Sequence, residues 1–97
     1  MALLTGSKKV KTAVFISGNG SNLKSIIKFS KKKKSPITID LIITDNPKSK
    51  GLKFSKIFII KKKIINYRLR AFAEKRILFE LKKNKITLIC LAGFMRI

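Results

Sequence analysis

Four short, nearly continuous apolar runs, at residues 12–16, 37–44, 57–60 and 86–92, constrain this chain most. Each has the length of a strand and carries apolar side chains on both faces, so each needs cover on both. The segments between them have helical spacing. Leu23, Ile26, Ile27 and Phe29 recur on one side of a helix that Ser21 or Asn22 can cap, and Asp45-Asn46-Pro47 signals a turn and a helix start. Residues 48–56 form a short helix weakened by Gly51, and Ile64-Ile65 extends the apolar path past lysines 61–63. From 68 to 84, Leu69, Phe72, Ala73, Ile77 and Leu81 fall three and four residues apart, which predicts an amphipathic helix with those five facing inward. Strands alternating with helices give an α/β class: a Rossmann-like, open, mostly parallel sheet with the order βαβαβαβ.

At 97 residues the chain is one small domain. Residues 1–10 read as a flexible basic arm, and residues 11–97 as the folded part. Phe94-Met95-Arg96-Ile97 follows a strand directly, where an α/β unit would continue into a helix. The chain therefore reads as truncated after its fourth strand, with that strand an exposed edge or awaiting further sequence. Met1-Ala2-Leu3-Leu4 is too short for a signal core, and no apolar stretch approaches the ~20 residues that span a bilayer. One cysteine, Cys90, forms no internal disulfide, which points to a reducing compartment and a cytoplasmic location. Flanked by Ile89 and Leu91, it reads as a buried, inert thiol.

Charge excludes much of the common chemistry. Twenty-four Lys and Arg face four carboxylates, Asp40, Asp45, Glu74 and Glu80, and there is no histidine, for a net charge of +20. A hydrolase triad and a histidine-based zinc site are out of reach, and no metal is expected. A charge of this size is an electrostatic footprint for nucleic acid, and nonspecific binding of polyanions follows from it at low salt. Against a dedicated nucleic-acid role, 20 lysines stand against 4 arginines, aromatic residues do not interleave with the lysine runs, and no nucleic-acid module matches. Lysine, isoleucine, phenylalanine and asparagine abundance is also what A/T-rich coding sequence produces. A small basic α/β module that binds nucleic acid without catalysis is the alternative reading.

The sharpest chemical signal is Ser17-Gly18-Asn19-Gly20-Ser21-Asn22 between the first strand and the first helix. Glycines permit positive φ and close backbone approach, so successive N–H groups can point at an anion, and the helix N-terminus adds partial positive charge. A tight strand-to-helix turn with no ligand uses the same glycines. The loop's place at the carboxyl end of the first strand, where open α/β sheets bind ligands, favours the anion. Leu23 breaks the dinucleotide fingerprint, and the Walker Gly-Lys-Ser/Thr is missing. Asp45 falls near where a ribose-binding acid would stand, but it also suits a turn.

The string from Val14 to Leu23, VFISGNGSNL, together with Leu91-Ala92-Gly93-Phe94-Met95-Arg96-Ile97, resembles phosphoribosylglycinamide formyltransferase of purine biosynthesis, over residues 11–97 and about the first half of the usual enzyme. The resemblance implies transfer of a formyl group from the co-substrate 10-formyltetrahydrofolate to the amine of glycinamide ribonucleotide. It further implies that Gly20, Ser21 and Asn22 hold the substrate phosphate, that Arg70 contacts folate, and that Met95, Arg96 and Ile97 begin the folate pocket. The family's catalytic Asn, His and Asp would fall beyond Ile97, so no catalytic residue is expected in this chain. Without the resemblance, Arg70 is a solvated helix-start cation and Met95 a core filler. Arg68 and Leu69 depart from the acidic or hydroxyl residues usual in the family at that helix start.

Overall fold

The computed structural model of the chain describes residues 9–18 and 20–94, Ser21 by its backbone alone. Its elements are β1 (Val10–Ile16), α1 (Ser21–Ser30), β2 (Ile37–Thr44), a 3-10 turn (Lys50–Leu52) running into α2 (Lys53–Ile57), β3 (Lys61–Ile64), α3 (Arg70–Lys83) and β4 (Leu88–Ala92). The strands form one parallel sheet in the order β3-β2-β1-β4. This is the expected Rossmann-like α/β fold. The chain winds outward from β1 through β2 to β3, then crosses back to place β4 on the other side of β1. The crevice at the carboxyl ends of β1 and β4 is thus the switch point of the sheet.

Side-chain alternation along β1 and β2 divides the core in two. Val14, Ile16 and Ile42 pack on Leu23 and Ile27 of α1 and Phe54 of α2. On the opposite face, Ala13, Phe15, Leu41 and Ile43 pack on Ala73 and Ile77 of α3. The register of β1 on β2 shifts between Thr12 and Ala13, where β2 carries Asp40 as an extra residue that accepts a 2.6 Å hydrogen bond from the Thr38 hydroxyl.

Several local expectations are corrected. Val10 already belongs to β1, its N–H donating to the Pro36 carbonyl at 2.8 Å, so order reaches one residue into the expected arm; residues 1–8 lie outside the described residues. The third strand is Lys61–Ile64 rather than residues 57–60. Residues 57–60 instead form the exit of α2: Ile59 takes φ +55° and is 92% exposed, and the Ile60 N–H returns to the Ser55 carbonyl. An edge strand pairs on one side only, and lysines are ordinary edge residues that discourage further pairing, so hydropathy misplaced this one. The second helix begins as a 3-10 turn at Lys50, and the fourth strand starts at Leu88, after Lys85 turns at φ +56°.

Leu69, the residue before α3, and Phe72 within it are exposed (61% and 65%), while Ala73 and Ile77 face the sheet as expected, with Glu80 buried beside them and Leu81 packed against the same core. Phe29 is likewise half out of the core. Strand β4 is covered less than a two-faced strand requires, with Leu88, Ile89 and Leu91 exposed and Cys90 half-buried rather than buried. No helix among the described residues is long and apolar enough to cross a membrane.

The buried Glu80 carboxylate has Lys63 at 3.6 Å, reaching across from the edge strand. Removing one partner of a buried pair leaves a charge without compensation. Because the Lys63 side chain is 35% exposed, water screens part of that cost. Lys63→Met is expected to destabilise the domain by about 1–2 kcal/mol in urea unfolding, and the Lys63→Met, Glu80→Leu double variant to recover most of it.

Candidate anion-binding site at the sheet switch point

The loop after β1 is braced from β2. The Ser17 hydroxyl donates to Asp45 Oδ1 at 3.1 Å, and the Ser49 hydroxyl donates to the Gly18 carbonyl at 2.6 Å. The segment supplying Asp45 and Ser49 is itself folded by an ST turn, in which the Asn46 N–H donates to Thr44 Oγ1 at 3.1 Å, followed by an Asx turn, in which the Lys48 N–H donates to Asn46 Oδ1 at 2.9 Å. Asp45 therefore ties two strand ends together. Ser49 does not stand out in the sequence, because a lone serine in a turn carries no signal until its partner is placed.

Gly20 is the N-cap of α1, with φ +83° and ψ +18°, in place of the expected Ser21 or Asn22. A left-handed cap here turns the chain sharply into the helix. The first helical bond runs from the Lys24 N–H to the Gly20 carbonyl at 3.0 Å. Helix geometry leaves the amides of residues 21, 22 and 23 without intrahelical partners, at the positive end of a ten-residue helix. Gly51 presses against Gly20: a Cβ on Gly20 would lie 2.4 Å from the Gly51 Cα, and one on Gly51 would lie 2.7 Å from Ile16 Cδ1. Two hydroxyl bonds and a glycine–glycine contact thus hold the two flanks of the loop, and the helix start can present successive N–H groups to an anion.

Of the other predicted site residues, Arg70 stands at the start of α3, its side chain 65% exposed and its Nε donating to Glu74 Oε2 at 3.1 Å. Met95, Arg96 and Ile97 lie outside the described residues. The residue before them, Phe94, is buried after a turn in which Gly93 takes φ +81°. Its ring meets Phe15 edge-on (5.2 Å) and Tyr67 (5.5 Å). Tyr67 also lines a polar cleft with Asp45, Asn66 and Arg68. Tyr67 thus links the ends of β2 and β4 with the approach to Arg70, a role with no sequence signal.

Burial raises the Tyr67 phenol above its ordinary range; Glu74 adds to the shift, Arg70 opposes it, and Asp45 adds a further increment. The phenol is the acid that ionises late in the folded state. As pH rises past the unfolded tyrosine value, the unfolded chain loses this proton first and stability falls. Tyr67 is the only tyrosine, so ultraviolet titration reads it directly. Glu74→Gln is expected to lower the inflection, whereas an unchanged one would remove Glu74 as a contributor.

Residues 10–97 match the family model described as formyl transferase. The chain is 37% identical over 93 residues to the human trifunctional purine biosynthetic protein adenosine-3, covering 93% of this chain and 9% of that protein. It is 33% identical over 90 residues to phosphoribosylglycinamide formyltransferase of Bacillus subtilis, covering 90% of this chain and 46% of that one. Among solved structures, it superimposes on glycinamide ribonucleotide transformylase 1 from Geobacillus kaustophilus with a TM-score of 0.87 at 30% identity, over 93% of this chain and 50% of that one. For the phosphoribosylglycinamide formyltransferase of Campylobacter jejuni the TM-score is 0.83 at 35% identity, over 95% and 52%. The chain spans about half the length of the single-activity relatives it matches. With the family match running from the first residue of β1 through the whole described sheet, the chain belongs to the formyl transferase family.

Proposed function

We propose that this chain is the substrate-phosphate and folate-entry part of a cytoplasmic phosphoribosylglycinamide formyltransferase acting in purine biosynthesis. The carrying observation is the Gly20-capped start of α1, a braced backbone nest at the switch point of the sheet. On this reading the amides at Gly20, Ser21 and Asn22 receive the phosphate of glycinamide ribonucleotide, with the helix dipole favouring its charge. Arg70 engages the folate co-substrate, for which its glutamate carboxylates are the natural partners of a guanidinium. Met95, Arg96 and Ile97 open the wall of that pocket. The co-substrate, 10-formyltetrahydrofolate, supplies an activated formyl carbon to the glycinamide amine. This chain's residues bind and orient; they hold no imidazole to move the amine proton.

Two measurements test the reading. Glycinamide ribonucleotide should bind at least about tenfold more tightly than the unphosphorylated riboside, a preference that charge-assisted bonds at a helix start can supply. Equal affinities would contradict a phosphate site. Mixed with substrate and 10-formyltetrahydrofolate, the 97-residue chain alone should give no formyl transfer. Measurable turnover would show that the chemistry does not need the Asn, His and Asp expected beyond Ile97.

A further inference from the structure

The fold gathers lysines at the amino-terminal ends of the strands, opposite the Gly20 nest. The turn 31–34 between α1 and β2, the strand start at Lys9 and Lys11, and the exit of α3 at Lys82, Lys83 and Lys85 all lie there, and all these lysines are exposed. Two backbone bonds make them neighbours: the Val10 N–H donates to the Pro36 carbonyl at 2.8 Å, and the Thr87 N–H to the Lys11 carbonyl at 3.0 Å. The four carboxylates do little to offset this end. Asp45 and Glu74 stand at the other end of the sheet, Glu80 in the last turn of α3 is buried against Lys63, and Asp40 within β2 accepts the Thr38 hydroxyl.

Exposed aromatic rings flank this lysine field on both faces of the sheet, Phe29 on α1 and Phe79 on α3. Phe29 is 46% exposed in the last turn of α1, between Lys28 and Lys31. Phe79 is 62% exposed on α3, with Lys83 Nζ 5.9 Å from its ring centre. Neither ring is buried among the described residues. A lysine field that tracks phosphates, combined with exposed rings on which bases stack, is the arrangement that single-stranded nucleic acid requires.

We propose that this amino-terminal edge of the sheet binds single-stranded nucleic acid, at a surface separate from the Gly20 nest. Lysines 31–34 and those at the α3 exit neutralise the backbone, while Phe79 and Phe29 stack on bases.

The test is a salt titration of the 97-residue chain with a fluorescent oligothymidylate of about twelve nucleotides, with heparin as a polyanion that has no bases. The fourfold variant K31Q, K32Q, K33Q, K34Q should reduce the slope of log affinity against log salt by about 2–3, at ~0.7 for each phosphate that a lysine no longer neutralises. The variant K48Q, K50Q, K53Q, at the opposite end, should leave the slope near its starting value. Phe79→Ala should weaken oligothymidylate binding roughly five- to a hundredfold and leave heparin binding unchanged, with Phe29→Ala acting in the same direction. Glycinamide ribonucleotide should not displace the oligonucleotide. Equal effects of the two lysine variants would overturn the proposed location. Heparin and oligothymidylate responding alike to both phenylalanine variants would reduce the surface to a nonspecific polyanion binder. Tighter, phenylalanine-dependent binding to phosphatidylserine vesicles would make it a membrane surface instead. Displacement of the oligonucleotide by glycinamide ribonucleotide would merge the two sites and overturn their separation.

Discussion

Gly20→Ala is expected to cost this domain about 3 kcal/mol and to abolish binding of glycinamide ribonucleotide. Two effects combine. An alanine at φ +83° adopts a left-handed conformation that costs about 1–2 kcal/mol. Its Cβ would also lie 2.4 Å from the Gly51 Cα and 3.2 Å from the Gly51 N, and backbone atoms cannot rotate away as a side-chain tip can, so overpacking adds about 1–3 kcal/mol. For a domain of this size the sum corresponds to a melting temperature lower by roughly 10–20 °C. Denaturant unfolding measures the first effect, and titration with glycinamide ribonucleotide below the melting transition measures the second. A variant as stable as the parent would mean that Gly20 and Gly51 are not in contact. A destabilised variant that still binds would separate the loop's conformation from its proposed task.

Leu23→Ala should have a comparable cost through a different cause. Leu23 is fully buried in the first full turn of α1, against the β1 and β2 side chains, and truncating it leaves a cavity under the helix start. Large-to-small changes at such sites cost about 2–5 kcal/mol. The same packing holds the helix N-terminus at the switch point, so affinity for glycinamide ribonucleotide should fall as well. Since Leu23 and Gly20 act on one helix turn, their double variant should lose less than the sum of the two. Strict additivity would mean that the loop and the helix start are mechanically independent.

The legible parts of this molecule are those where local chemistry and tertiary position agree. Strands β1 and β2 are buried on both faces, so their apolar runs stand at their true places. The string from Ser17 to Asn22 can be read as a strand-to-helix nest because glycine is needed there for its backbone, whatever lies around it. The failures have physical causes. Edge strand β3 is built from three lysines and an isoleucine because its ladder with β2 needs only backbone, and the stronger hydropathy signal at 57–60 belongs to a helix exit. In α3 the expected stripe holds at Ala73 and Ile77, with Leu81 packed against the same core, whereas Leu69 lies outside the helix, Phe72 faces out, and the ion-paired Glu80 joins the inward face. At the candidate site the glycines are visible in the sequence, whereas Ser49, Asp45 and Tyr67 become supports only through partners distant along the chain.

The most direct test of the central claim is chemical-shift mapping of the isotopically labelled chain during titration with glycinamide ribonucleotide. The backbone amides of Gly20, Ser21 and Asn22 should show the largest, saturable shifts, with smaller changes at Ser17 and Ser49, and inorganic phosphate should compete for them. Shifts confined to lysines 31–34, with residues 20–22 unmoved, would contradict a substrate-phosphate site at the start of α1.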